Sequence, residues 1–152
     1  MRVKAPDVTV EITPERVALG KKLAEGIMAC GSCHTTGSAT GDPQLEMYLA
    51  GDVCWPDQWW GTVTAPNITP NKETGIGDWT DGEIIRAITK GVGSDGRVLN
   101  PGMPWPEFGT TLTQEEIYAL VAYLPAAVGS RRTSSPPWTP RRVTASGPPS
   151  RS

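Results

Sequence analysis

Two thiols and an imidazole stand in immediate succession at Cys30-Gly31-Ser32-Cys33-His34. Each thiol can add to one vinyl group on a porphyrin, and two intervening residues set the reach between two vinyls on the same side of the ring. The next residue can then offer a ring nitrogen to an iron in the porphyrin plane. This spacing is the one by which a c-type haem is attached, and His34 is the proximal ligand it predicts. Gly31 and Ser32 are small, as expected where the backbone lies close to the ring. His34 is the chain's only histidine, so no second imidazole competes for the iron. Half a zinc site and a redox dithiol are the alternatives for the two thiols. A structural zinc ion needs four ligands, for which only His34 and Cys54 are at hand, and no βαβ pattern of the kind that accompanies a thioredoxin-like dithiol is visible. Cys54 is expected to be a free thiol.

These residues need elements to position them. Thr13 is a suitable N-cap, Pro14 a suitable first helical residue, and Glu15 favours the first turn. Val17, Gly20, Leu23, Ala24 and Ile27 recur at three and four, which predicts a helix over 14–28 that delivers the chain into Cys30. Gly20, in the middle of that apolar face, costs about 1 kcal/mol against alanine and so predicts close approach of a second helix, through Leu120 or Tyr123. Thr80 and Glu83 form a capping box ahead of Ile84, Ile85, Ala87 and Ile88, and Gly91 stops that helix. Thr113 and Glu116 form a second box, followed by Ile117, Leu120, Val121 and Leu124 before Pro125.

Between these helices the chain is irregular. Residues 1–12 read as an extended arm, and residues 35–66 as a long loop with Leu45, Met47, Tyr48 and Leu49 as an apolar cluster. Trp55, Trp59 and Trp60 crowd one segment of that loop and are expected to cover a haem edge, with a partner-facing patch as the alternative. Residues 93–106 are a further loop. With 17 Gly and 15 Pro in 152 residues, short helices joined by long loops are expected, packed around a large prosthetic group.

Charge divides the chain in two. Residues 1–124 hold all sixteen acidic residues and nine basic ones, a net charge of −7, whereas five arginines and no acid follow. An acidic body excludes nucleic-acid binding, which needs a basic face. Residues 128–152, rich in Ser, Pro and Arg, are expected to be a disordered tail, with a basic docking tail as the alternative. No run of about 18 apolar residues suggests a membrane span. Residues 1–10 lack the apolar core of a signal peptide, although covalent haem attachment calls for export, so a start lying upstream or a matured chain is expected.

With these residues in hand, Thr13 to Leu124 resembles the class I cytochromes c. The stretch Pro66-Asn67-Ile68-Thr69-Pro70-Asn71-Lys72-Glu73-Thr74-Gly75-Ile76-Gly77-Asp78-Trp79-Thr80 is similar to the haem domains in cytochrome subunits of bacterial periplasmic and membrane-bound dehydrogenases. Those subunits often carry several C-x-x-C-H motifs, and this chain has one. The resemblance implies an all-α fold over 13–127, with three main helices and long loops around one covalent haem c held by Cys30 and Cys33. It places the second axial ligand at Met103, which stands between Gly102 and Pro104. Trp79, and with it Asn67, is expected to bond a haem propionate, with core packing the alternative for Trp79. The implied function is one-electron transfer in the periplasm between a dehydrogenase and a respiratory acceptor, with redox proteins as partners and no substrate chemistry. The alternatives are a redox subunit held within a dehydrogenase complex and a ligand sensor or enzyme with an open iron site.

Overall fold

The computed structural model describes residues 3–51 and 61–127, and the backbone of 53–57. The expectations on Trp59, Trp60, the tail from residue 128, and the side chains of Cys54 and Trp55 lie outside the described residues. Among the described residues, five α-helices carry the fold: α1 (Pro14–Lys22), α2 (Cys30–His34), α3 (Asp81–Lys90), α4 (Trp105–Thr111) and α5 (Gln114–Ala126). One antiparallel hairpin joins them, β1 (Val53–Asp57) and β2 (Gly61–Ala65), with Val53 opposite Ala65 and Asp57 opposite Gly61.

The long loop expected over 35–66 therefore contains a hairpin. Val53 on one strand and Thr62, Val63 and Thr64 on the other suit a pleated ribbon, but Pro56 and the neighbouring glycines break the visible alternation. The loop expected over 93–106 likewise gives way to α4 at Trp105. Pro104 caps that helix and Pro106 lies in its first turn, where a missing N–H costs nothing.

α1 starts as expected, with the Thr13 hydroxyl accepting the Arg16 N–H at 3.2 Å. It does not run to Met28 as a single α-helix. Leu23–Ile27 widens into a π turn, in which the Met28 N–H reaches back to the Leu23 carbonyl at 3.0 Å. Leu23 and Ala24 stay buried on the common face, while Ile27, expected on the same stripe, is turned out and 85% exposed. Gly26, a weak helix former without a neighbour to pack against, sits in the widened turn.

α1 and α5 form the centre of the molecule. Gly20 is where they meet: a Cβ there would run into the Ala119 carbonyl and stand 2.6 Å from the Tyr123 Cβ. Tyr123 is thus one of the two residues expected at this approach, joined by the backbone of Ala119. Arg16 at the start of α1 grips the Glu115 carboxylate with two donors, at 2.7 and 3.1 Å. Leu23, Ala24, Leu49, Ile84, Ile88 and Ala119 to Leu124 share one buried cluster. The Thr113–Glu116 box caps α5, which continues one residue past Pro125; so near the end, the lost N–H removes a single bond.

α3 shows both halves of its capping box and ends at Gly91, whose φ of 61° is left-handed. The Trp105 ring packs where a Gly91 side chain would be. The arm, residues 3–12, lies extended along α3. Val10 is buried and donates its N–H to Asp81 Oδ2 at 2.7 Å, and Gly82 leaves room for the Pro6 backbone.

Candidate functional site

Helix α2 is the motif itself. Cys30, Cys33 and His34 stand at i, i+3 and i+4, so all three lie on one face of a single helical turn. The residue before it, Ala29, has φ 45° and ψ 44°, a left-handed conformation that costs a non-glycine residue about 1–2 kcal/mol. Ser32 holds the kink: its N–H and its hydroxyl both donate to the Ala29 carbonyl, at 2.8 and 2.7 Å. The π turn and this kink together redirect the chain from α1 into α2.

Gly31 is small for a reason that residue types alone do not disclose. A Cβ there would stand 2.6 Å from the Tyr48 ring. Gly31, Ser32, Thr35, Leu45 and Tyr48 border an open cleft of about 420 Å³.

His34 is buried, at 8% exposure, and its Nδ1 lies 2.8 Å from the Pro66 carbonyl oxygen. A carbonyl can only accept, so Nδ1 carries the proton and Nε2 keeps its lone pair. Burial lowers the imidazole's pKa, partly opposed by the bond to Pro66, and the net effect favours the neutral ring. Nε2 has no hydrogen bond among the described residues. A buried neutral imidazole, oriented through one nitrogen with the other free, is how a metal-ligating histidine is held.

The surrounding backbone fixes that orientation. Gly51 donates its N–H to the His34 carbonyl at 2.7 Å and receives the Thr36 hydroxyl on its own carbonyl at 2.9 Å. Gly51 has φ 75°, and a side chain there would strike the backbone of Pro66 and Asn67. Without that glycine, Pro66 could not come close enough to accept from His34. Leu49 is fully buried with φ 63°, and its carbonyl receives the Ile68 N–H at 3.0 Å. Pro66, Gly51 and Leu49 thus support His34 through their backbones, a role that their residue types do not announce.

Cys30 and Cys33 are both free thiols, Cys30 half-buried and Cys33 exposed. Burial pushes the Cys30 thiol up to about 11, so it is protonated at neutral pH. No group of three or more His, Cys, Asp or Glu among the described residues is arranged to hold a metal ion.

Met103 is partly buried against the core. Its loop is held by Asn100, whose side-chain oxygen accepts the Gly102 N–H at 2.8 Å and whose carbonyl accepts the Met103 N–H at 3.0 Å. Trp105 then donates its N–H to the Met103 carbonyl at 2.8 Å. Trp79 is also partly buried against the core, and its indole N–H makes no hydrogen bond among the described residues. Asn67 is more committed than expected: its oxygen accepts the Thr69 N–H at 2.8 Å and its amide donates to Thr74 Oγ1 at 2.9 Å, leaving one amide hydrogen. The Trp105 indole N–H is buried with no acceptor among the described residues. The clustered thiols, the oriented imidazole, a methionine in a pinned loop and an unpaired indole donor fit a covalent haem with nitrogen and sulfur ligation.

A family model described as Cytochrome c matches residues 17–127, more than half of the chain. The chain is 41% identical over 95 residues to the cytochrome c subunit of alcohol dehydrogenase (quinone) from Gluconobacter oxydans (strain 621H), covering 62% of this chain and 18% of that one. It is 35% identical over 107 residues to the fructose dehydrogenase cytochrome subunit of Gluconobacter japonicus, covering 70% and 20%. It is 37% identical over 82 residues to the gluconate 2-dehydrogenase cytochrome c subunit of Pantoea cypripedii, covering 51% and 18%. The chain thus spans about a fifth of the length of these relatives.

Proposed function

Because the chain belongs to the cytochrome c family, whose cofactor is covalently bound haem c, we propose that it carries single electrons on one such haem. When bound, the haem supplies reversible one-electron chemistry between Fe(II) and Fe(III). Cys30 and Cys33 would hold it through thioether bonds, and His34 Nε2 and the Met103 sulfur would be the iron's two protein ligands. The observation that carries this reading is His34: buried, neutral, and oriented by Pro66 with Nε2 left free.

The remaining residues exclude water and supply donors. Met103 and Trp79 both pack against the buried cluster, and thioether ligation would favour the ferrous state. Trp79 would give its indole N–H to a propionate, and Asn67 its remaining amide hydrogen. Two protein ligands would leave the iron no open position, which argues against oxygen or peroxide chemistry.

The relatives extend the reading. Each is named as a cytochrome subunit of a dehydrogenase, and the chain takes electrons from such an enzyme and passes them to a respiratory acceptor, in the periplasm or at the outer face of the cytoplasmic membrane. A redox subunit held within the dehydrogenase complex is the second reading the same names favour. No helix among the described residues is long and apolar enough to cross a membrane.

The test is spectroscopic. The oxidised protein should show the weak far-red band of sulfur-to-ferric charge transfer, and the reduced protein should not bind carbon monoxide at neutral pH. Met103→Ala should lose the band, lower the reduction potential and open the iron to carbon monoxide. Ready carbon monoxide binding by the unaltered protein would replace the carrier by a ligand-binding function. Copurification with a dehydrogenase separates the free carrier from the held subunit.

A further inference from the structure

Arg86 is half-buried on α3 and forms no ion pair among the described residues. Its guanidinium donates to three backbone carbonyls instead: Nε to Val92 at 3.2 Å, Nη2 to Gly93 at 2.6 Å and Nη1 to Val3 at 3.2 Å. A guanidinium has five donors in a fixed fork and keeps its charge at every accessible pH, so it can tie two backbone segments at once. The segments tied here are the N-terminal arm and the start of the loop that leads to Met103.

That loop is a short ladder. Val92 pairs with Val98 across an antiparallel bridge, the Gly93 N–H donates to the Arg97 carbonyl at 2.9 Å, and the Leu99 N–H donates to the Gly91 carbonyl at 2.7 Å. Arg86 holds the first side of the ladder, the first side holds the second, and the second ends at Asn100, which presents Met103. Every link is a hydrogen bond, and no buried side chain braces the second side at its bridge, where Val98 is exposed. The arm reaches the same guanidinium from the other direction, anchored by Val10 on Asp81 and by Pro6 on Gly82.

We propose that Arg86 is a positioning residue for Met103, joining the N-terminal arm to the methionine loop so that arm docking sets how firmly the sulfur is held. This rests on Met103 as the axial ligand. Release of the arm frees one of the three donors and lets the guanidinium turn away from Val92 and Gly93, and the loop then opens more often.

The experiment uses the haem-loaded protein in its ferric state, with cyanide as the probe of an opened iron position. Four variants are compared with the unaltered chain: Arg86→Met, which keeps the stem and removes every donor; Arg86→Lys; a chain lacking residues 1–8; and Arg86→Met in that shortened chain. Loss of charged donors predicts cyanide binding about tenfold faster in Arg86→Met, with the far-red band lost at lower temperature than the helical circular dichroism. Arg86→Lys keeps the charge but cannot span both segments, and it should resemble Arg86→Met. The shortened chain should also bind cyanide faster, and the double variant should bind it no faster than Arg86→Met alone, because both changes break the same tie. Cyanide binding at the unaltered rate in Arg86→Met overturns the proposal, as do multiplying effects in the double variant. So does an equal acceleration in Arg97→Ala, which removes only the exposed contact with Asp95 in the same turn. Met103→Ala separates the two levels. If it leaves the band and the cyanide rate unchanged, the ligand assignment fails and this proposal with it; if it alone opens the iron, only the role of Arg86 fails.

Discussion

Gly20 offers the sharpest test of how the chain is closed. In an isolated helix, Gly20→Ala should add about 1 kcal/mol of stability, because glycine has more backbone freedom to lose. In the folded protein the new methyl would overlap the Ala119 carbonyl and stand 2.6 Å from both the Ala119 carbonyl carbon and the Tyr123 Cβ. Ordinary contact begins near 3.4 Å, so α1 and α5 must separate by at least about 0.8 Å. The obstacles are a backbone peptide and a Cβ, which cannot swing aside as a side-chain end would. Ala119, Leu120 and Tyr123 are 0%, 1% and 4% exposed, so any separation unpacks a closed core. Overpacking of this kind costs about 1–3 kcal/mol and sometimes more, and it outweighs the helical gain. Gly20→Ala should therefore lose about 2 kcal/mol, and Gly20→Val, with two further methyls, about 4 kcal/mol. For a domain of this size those losses lower the melting midpoint by about 8 and 15 °C. Far-UV circular dichroism of the haem-loaded protein in a thermal or guanidinium titration measures both. Gly26→Ala is the internal control: nothing lies within 4 Å of a Cβ there, so it should be neutral or gain up to about 1 kcal/mol. If Gly20→Ala unfolds at the same midpoint as Gly26→Ala, the two helices do not touch as described.

Gly91→Ala should lose about 2 kcal/mol or more, since Gly91 has φ 61° and the Trp105 ring occupies the place of its side chain; an unchanged denaturation midpoint would mean that Trp105 is not seated there. Tyr123 donates to Glu25 at 2.7 Å, and burial first, then that carboxylate, raise its pKa. Above pH 10 the unfolded chain loses this proton while the folded one keeps it, so stability should fall with rising pH there, and Tyr123→Phe should flatten the slope in alkaline denaturation series. Trp79→Phe keeps the aromatic bulk and removes the donor, so the reduction potential and its pH dependence should shift; identical values across pH would assign Trp79 to packing alone.

The parts of the fold legible in the sequence are those whose cause is local. Both capping boxes, the Thr13 cap, the Gly91 stop and the apolar stripe of α5 depend on residues within a turn or two of one another. Gly20 is legible because a glycine in an apolar stripe is a local cost with a non-local explanation. The motif at 30–34 is legible because its chemistry demands a spacing. What escapes is set by contacts far apart in sequence. The hairpin depends on strands whose alternation is broken by proline and glycine, and α4 begins at two prolines that read equally well as a loop. The π turn is invisible to a count of apolar spacing, which places Ile27 inside. Pro66 acts through a carbonyl, Gly51 through an absent side chain, and Arg86 through three carbonyls in two segments; backbone groups of this kind leave no mark on residue types.

The two proposed ligands are held by different kinds of interaction, and that difference orders the events of any perturbation. His34 belongs to the same helical turn as the two cysteines, so thioether bonds would fix its position through the short chain they span. Its ring is buried, its carbonyl is bonded to Gly51, and Pro66 fixes the proton on Nδ1. Met103 has no covalent neighbour of that kind. Its place depends on the Asn100 turn and a ladder of backbone hydrogen bonds, each worth about 1 kcal/mol net and several near solvent. A segment held in place mainly by hydrogen bonds, several of them at exposed residues, opens at lower free energy than a buried core does. Heating, denaturant or mutation should therefore release sulfur before nitrogen. Loss of the far-red band would precede loss of helix, and a protein that has lost Met103 contact would still hold its haem by Cys30, Cys33 and His34. Simultaneous loss of both signals in every condition would mean that the methionine loop is as tightly built as the core.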